Sequence, residues 1–220
     1  MRTTFFFLFL IILSGIITFC SQNNQLDLSK STILVSSSIK DPVRKTATDI
    51  LVEEIGKRTS LKLGQSESWQ GKSVIALALS SDKELKEVAL PVREGNISPE
   101  FKEEGFRMVH EKKEGKDILW IIGADARGIL FGIGQLLRTA EMHDGKIILP
   151  QNIDLASSPE YPIRGHQFGY RNTANSWDAW TIEQFDEHFR EQVLFGANSF
   201  ENIPFEEKSL LMKFTPREMN

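Results

Sequence analysis

PIRGHQFGYRNTANSWDAWTIEQFDEHFREQVLFGANSFENIP, residues 162–204, reads as strand, loop, helix and strand. Ile163 to Tyr170 has the length and apolar content of a short strand, and Asn172, Thr173, Asn175 and Ser176 mark a polar loop after it. Thr181 is an N-cap candidate. Gln184, three residues on, completes a capping box that satisfies amides left unpaired by the first helical turn. Ile182, Phe185, Phe189 and Val193 recur at three- and four-residue spacing, so the spacing predicts a helix with one apolar stripe and Glu183, Asp186, Glu187 and Arg190 on the water side. Gly196 ends the helix, Ser199 to Ile203 is the next strand, and Pro204 closes it.

Two strands joined through a helix form a crossover unit of a parallel sheet. Such a unit cannot bury its own strands, which need neighbours at both edges and helices over their faces. It either extends the sheet of the preceding domain or opens a (β/α) barrel. Thr215-Pro216-Arg217-Glu218 has the cap, the proline and the acid of a helix start, and it favours the second expectation, a barrel that is interrupted.

Working outward, 220 residues with 40% hydrophobic and 25% charged composition describe an ordinary globular protein of one or two domains. A net charge of -4 leaves no basic footprint for nucleic acid, so none is expected as a partner. Residues 1–20 differ: Arg2 precedes an apolar run, Phe5 to Ile17, of signal-peptide length. Cys20, the single cysteine, follows directly, and Ile17-Thr18-Phe19-Cys20 resembles a bacterial lipoprotein signal in which the cysteine is acylated, although Phe19 stands where a small residue is usual. The expectation is export to the periplasm or outer membrane, with a lipid anchor at Cys20 as the membrane contact. Without further thiols the exported part relies on its cores rather than on disulfides.

Residues 21–30 read as a linker. Ser31 to Ser37 is a strand by its β-branched content, and a helix follows from about Pro42 with Val43, Ala47, Ile50, Leu51 and Ile55 inward, ended by Gly56 or by the polar run after it. Ser73 to Leu79 is apolar throughout, as suits a strand covered on both faces. Asp82 to Leu90 is expected to be a short helix. Gly105–Glu111 and Lys116–Ile122 alternate as paired antiparallel strands around a Glu114-Gly115 turn, and the run Asp117 to Gly123 is the central strand. Asp125 caps a helix carrying Ile129, Leu130, Ile133, Leu136 and Leu137. Gly128, Gly132 and Gly134 inside it each cost on the order of 1 kcal/mol, which points to a face that meets another backbone closely. They are no dinucleotide fingerprint, because phosphate-binding glycines belong in the turn before a helix.

Three sets of words look familiar together: Glu104-Gly105-Phe106-Arg107; Ile121-Ile122-Gly123-Ala124-Asp125-Ala126-Arg127-Gly128 with Gln135-Leu136-Leu137-Arg138; and Pro159-Glu160-Tyr161-Pro162-Ile163-Arg164-Gly165. They resemble the small amino-terminal domain of glycoside hydrolase family 20, the β-N-acetylhexosaminidases, and of the α-glucuronidases, together with the entry to the barrel that follows it there. The resemblance implies an α+β domain of β-hexosaminidase domain 2-like, zincin-like topology over residues 31–155, followed over 160–220 by the first β/α/β unit of a truncated (β/α)8 barrel. It implies an exported glycoside hydrolase acting on O-glycosidic bonds of hexosaminide or glucuronide type, with an oligo- or polysaccharide as partner and no cofactor. The family's catalytic acid pair follows the fourth barrel strand. No catalytic residue carries over, and the 220 residues are expected to be inactive and poorly folded beyond about residue 160. The alternative is a non-catalytic surface lipoprotein that binds glycan or protein.

Arg164 matches the family's arginine on sugar hydroxyls, where a planar guanidinium offers forked donors; pairing with a carboxylate is its other reading. His166, Tyr170, Arg171 and Asn175 lie on or just past the carboxyl half of the strand, where barrels bind substrate, and complete the candidate substrate-binding set. The sequence departs from the hexosaminidases here, which have an apolar run ending in Asp. Trp177 and Trp180 can stack on sugars or pack the helix, and Glu201, Glu206 and Glu207 are the nearby acids. No spacing pairs His166 with a second metal ligand and no H-E-x-x-H occurs, so no metal is expected.

Overall fold

The computed structural model describes residues 25–91, 102–168 and 180–202. The leader with Cys20, the site candidates Tyr170, Arg171 and Asn175, Trp177, Glu206, Glu207 and the cap at Thr215 lie outside the described residues.

The fold is mixed α+β. Its main sheet joins β2 (Thr32–Val35), β3 (Gln65–Ser66), β4 (Ser73–Leu79), β7 (Phe106–Lys113), β8 (Lys116–Gly123) and β11 (Asp154–Ser157) in the order β11-β7-β8-β4-β2-β3. β3, β2, β4 and β8 run parallel, β7 joins antiparallel beside β8, and β11 pairs antiparallel with β7 at the edge. The helices α1 (Val43–Thr59) and α2 (Ala126–Thr139) pack on the same face. There Ile33, Ile75, Leu77, Leu119 and Ile121 meet Leu51 and Ile55 of α1 and Ile129, Ile133 and Leu136 of α2.

The alternate strand residues form a second core on the opposite face, from Leu34, Val74, Ala76, Val109, Trp120 and Ile122. Burial on both faces explains why Ser73 to Leu79 is apolar without a period. Trp69 closes this second core edge-on to Trp120, with ring centroids 5.5 Å apart.

Two expectations change. First, Asp82 to Leu90 is a hairpin, β5 (Glu84–Leu85) against β6 (Val88–Ala89), rather than a helix. Leu85 and Val88 are spaced three apart, which fits a helix or a two-residue hairpin equally; burial of Leu85 beside Trp69, whose indole N–H donates to the Leu85 and Lys86 carbonyls, decides it. Second, the expected linker contains a strand. β1 (Gln25–Asp27) pairs antiparallel with β10 (Lys146–Pro150), which pairs in turn with β9 (Glu141–His143), and Leu26 and Leu28 enter the helix-side core beside Ile147 and Leu149. α1 runs through Gly56 and ends in the polar run after it, the second of the two expected stops, at Ser60, whose backbone is left-handed at φ 61° and whose N–H donates to the Gly56 carbonyl.

The hairpin turn offers a test. Lys86 and Glu87 sit at φ 47° and 69°, a conformation that suits Asn-Gly better than two long side chains. Replacing Lys86-Glu87 with Asn-Gly is expected to raise stability by about 0.5–1 kcal/mol, read as a higher thermal midpoint; an unchanged or lower midpoint counts against the turn assignment.

The crossover unit does not join the main sheet. β12 (Gly165–Phe168) and β13 (Ser199–Asn202) pair parallel as a sheet of their own, which sets aside an extension of the preceding sheet. Between them α3 (Ile182–Leu194) carries the expected capping box: Thr181 Oγ1 accepts from Gln184 N and Gln184 Oε1 from Thr181 N. Phe185, Phe189 and Val193 are half-buried, but Ile182 is 78% exposed and off the stripe. α3 docks on the first domain. Leu194 lies against Gly134 of α2, Arg138 donates to the Leu194 carbonyl and stands 4.9 Å from the Phe195 ring centre, and Arg190 pairs with Glu53.

Candidate functional site

The three familiar words meet at one carboxylate. Glu104 ends the turn before β7 with its backbone left-handed at φ 63° and its residue only 8% exposed. Its Oε1 accepts from Arg127 Nη1 at 2.8 Å, and its Oε2 from Arg164 Nη2 at 2.6 Å and Asn198 Nδ2 at 2.8 Å. Asp125 holds the backbone beneath it: one carboxylate oxygen caps α2 at Gly128 N, 2.9 Å, and the other accepts from Glu104 N, 2.7 Å. The Gly105 carbonyl lies against Gly128, where a side chain would collide, and accepts from Ala124 N. The glycine of the second word is therefore a close backbone approach, as the sequence suggested.

Burial pushes the Glu104 carboxyl up, but the hydrogen bonds from Arg127, Arg164 and Asn198 outweigh it and hold the group below the usual glutamate range. Two guanidinium groups and one amide, all donors, favour the charged carboxylate.

Arg164 turns to this junction. Besides Glu104, its Nε donates to the Gly196 carbonyl and its Nη1 to the Tyr161 carbonyl, both at 2.8 Å, and the guanidinium carbon lies 5.3 Å from the Phe131 ring centre. Asn198 accepts from Arg164 N at 2.9 Å and donates to the Pro162 carbonyl as well as to Glu104, so it ties the starts of β12 and β13 together. Sequence reading assigned no role to Glu104 or Asn198. The acid beside a glycine at 104–105 was visible; its partners, distant in the chain, were not.

Along β12 and β13 successive side chains alternate between faces. His166 faces α3, its ring centroid 5.7 Å from that of His188; Phe200, its register partner on β13, stacks edge-on to Phe189 at 4.7 Å. Trp180 joins the same layer, 5.2 Å from His188 and 5.3 Å from Phe185, so packing is the reading the geometry favours for it. The opposite face carries Gln167 and Glu201, opposed in register and joined by a 2.8 Å hydrogen bond from Gln167 Nε2 to Glu201 Oε2. Glu201 is the one carboxylate on these two strands. Among the described residues no group of three or more His, Cys, Asp or Glu could hold a metal ion.

The chain is similar in structure to the family 20 exo-β-N-acetylglucosaminidase of Vibrio harveyi, at 13% identity and a TM-score of 0.55, over 81% of this chain and 22% of that one. It is similar to the family 84 protein CpGH84B, at 18% identity and a TM-score of 0.53, over 83% of this chain and 28% of that one. A family 115 4-O-methyl-α-glucuronidase specific for decorated arabinogalactans, BtGH115A, matches at 14% identity and a TM-score of 0.55, over 81% and 25%. The chain thus spans about a quarter of the length of these proteins, and identities so low carry the fold alone. No family model matches the chain, and no curated protein sequence does.

Proposed function

We propose that these residues are the opening part of an exported glycoside hydrolase that cleaves O-glycosidic bonds of hexosaminide or glucuronide type. The observation that carries the reading is the fold likeness to three glycoside hydrolase families, which extends over about four fifths of the chain. In this reading β12 and β13 begin a (β/α)8 barrel, and the substrate is an oligo- or polysaccharide. Arg164 anchors the first strand to the preceding domain. Gln167 and Glu201, on the face away from α3, start the inner wall, and Tyr170, Arg171 and Asn175 follow at the carboxyl end where barrels hold substrate. Export and acylation at Cys20 rest on the apolar run Phe5 to Ile17 and the cysteine behind it.

Hydrolysis of a glycoside ordinarily takes two opposed carboxyl groups, and Glu201 alone does not supply them. The 220-residue chain is therefore expected to leave aryl N-acetylglucosaminides and aryl glucuronides intact, whereas the product of the reading frame extended past codon 220 turns over one of them. Turnover by the 220 residues alone sinks the inactivity claim. An extended product that acts on no aryl glycoside sinks the hydrolase reading.

A further inference from the structure

A cavity of about 290 Å³ opens on the face of the main sheet away from α1 and α2. It lies at the carboxyl ends of the parallel strands: Ser80 directly follows β4, and Ile122 is the penultimate residue of β8. Open α/β sheets take ligands at this end, because the loops leaving the strands diverge there and leave a crevice. Two of its lining residues, Arg107 and Ile122, lie three residues from Glu104 and Asp125 of the junction, and none lies on β12 or β13.

Its lining combines an apolar floor with polar walls. Ile122, Leu90 and Pro91 supply the floor. Asp82 is held in place by its Oδ2, which accepts from Ser38 Oγ at 2.8 Å and Leu79 N at 2.9 Å, so its second oxygen stays an acceptor. Ser80 adds a hydroxyl and the exposed Lys83 an ammonium. Arg107, 7% exposed, closes the back. Its Nε and Nη2 grip Asp154 at 2.9 and 3.0 Å and its Nη1 donates to the Pro91 carbonyl at 2.9 Å, three of the five N–H donors a guanidinium carries.

The charges decide the class of ligand. Arg107 is neutralised by Asp154, and Lys83 is balanced by the neighbouring Asp82, so the crevice has no net charge to attract an anion. It does hold donors and acceptors side by side around an apolar patch. That combination fits a neutral polyhydroxylated ring, one face on Leu90, Pro91 and Ile122 and its hydroxyls on Ser80, Asp82 and Lys83. The volume is at the small end of the roughly 300–1,000 Å³ of ligand pockets, enough for one sugar ring rather than a chain. We propose that this crevice is a non-catalytic monosaccharide-binding site of the α+β domain. The choice of a sugar rests on the carbohydrate-active reading above.

Saturation-transfer NMR on the 220-residue chain tests it, with N-acetylglucosamine, glucose and glucuronic acid as probes and inorganic phosphate as competitor. Transfer to the neutral sugars is expected, with dissociation constants of about 1 mM for so open a crevice. Lys83→Ala is expected to weaken it about tenfold, the loss of one hydrogen bond to a charged group. Ser80→Leu, which fills the crevice from an exposed position, is expected to abolish it, with circular dichroism confirming that both variants fold. Transfer that survives both substitutions, transfer displaced by phosphate, or no transfer to the folded chain each overturn the site. None of these results touches turnover of aryl glycosides by the extended product, so the two proposals fail separately.

Discussion

Glu104→Ala is expected to lower stability by about 3 kcal/mol and to release residues 162–202 from the first domain, while the β7–β8 hairpin keeps its protection from amide exchange. The carboxylate is the shared acceptor of Arg127, Arg164 and Asn198, two of which come from the crossover unit. Removing it leaves Arg164 and Asn198 only their backbone carbonyl acceptors and strips the half-buried guanidinium of its counter-charge, and breaking such a network by deleting one partner costs more than the network contributes net. Alanine keeps its Cβ, so the left-handed backbone at position 104 is not relieved by this change. Glu104→Gly separates the two effects, since glycine takes φ 63° without strain yet still loses the network. If Glu104→Gly matches wild type, the carboxylate is not what holds the junction. The pH dependence has a fixed sign. The carboxyl is depressed in the folded state, so its contribution is full above the ordinary glutamate range and lost as pH falls through the lower folded value. Acid unfolding of wild type should show this loss in the exchange of residues 162–202, and Glu104→Gln should not.

The junction also shows what could and could not be read from the sequence. Features whose causes are local came through: the capping box at Thr181 and Gln184, the Asp125 cap, the turn at Glu114-Gly115 and the buried strand Ser73 to Leu79. Their hydrogen bonds or burial patterns close within a few residues. Glu104 closes its bonds over 23, 60 and 94 residues, to Arg127, Arg164 and Asn198, and nothing in the spacing of the chain announces that. The hairpin at Glu84–Ala89 was illegible for a related reason, since its alternative as a helix is excluded only by Trp69, far away in sequence. His166 illustrates a third cause. Strand and position were readable, but its face depends on where α3 lies, and the helix lies on the side of His166 and Phe200. The words that resemble glycoside hydrolases therefore mark a joint between two units.

Gly134→Ala is the sharper test of that joint, because ordinary helix energetics predict the opposite sign. Inside a helix the change from glycine to alanine normally gains about 1 kcal/mol. Here a methyl at position 134 would collide with the Leu194 carbonyl at the end of α3, which is backbone and cannot rotate away. The same carbonyl accepts from Arg138, whose guanidinium covers Phe195, so α3 cannot shift outward without losing both contacts. Overpacking against a fixed backbone costs about 1–3 kcal/mol, which exceeds the propensity gain over most of that range. Gly134→Ala should therefore lower the thermal midpoint and speed amide exchange in α3, with α1 and β4 unaffected. A control at an unobstructed glycine calibrates the measurement: Gly64 has nothing within 4 Å of where a methyl would stand and should tolerate alanine. A stabilised Gly134→Ala protein would mean that α3 does not rest on α2. The crossover unit would then hang free of the α+β domain, and Glu104 with Arg164 would be a contact too weak to set the direction of β12.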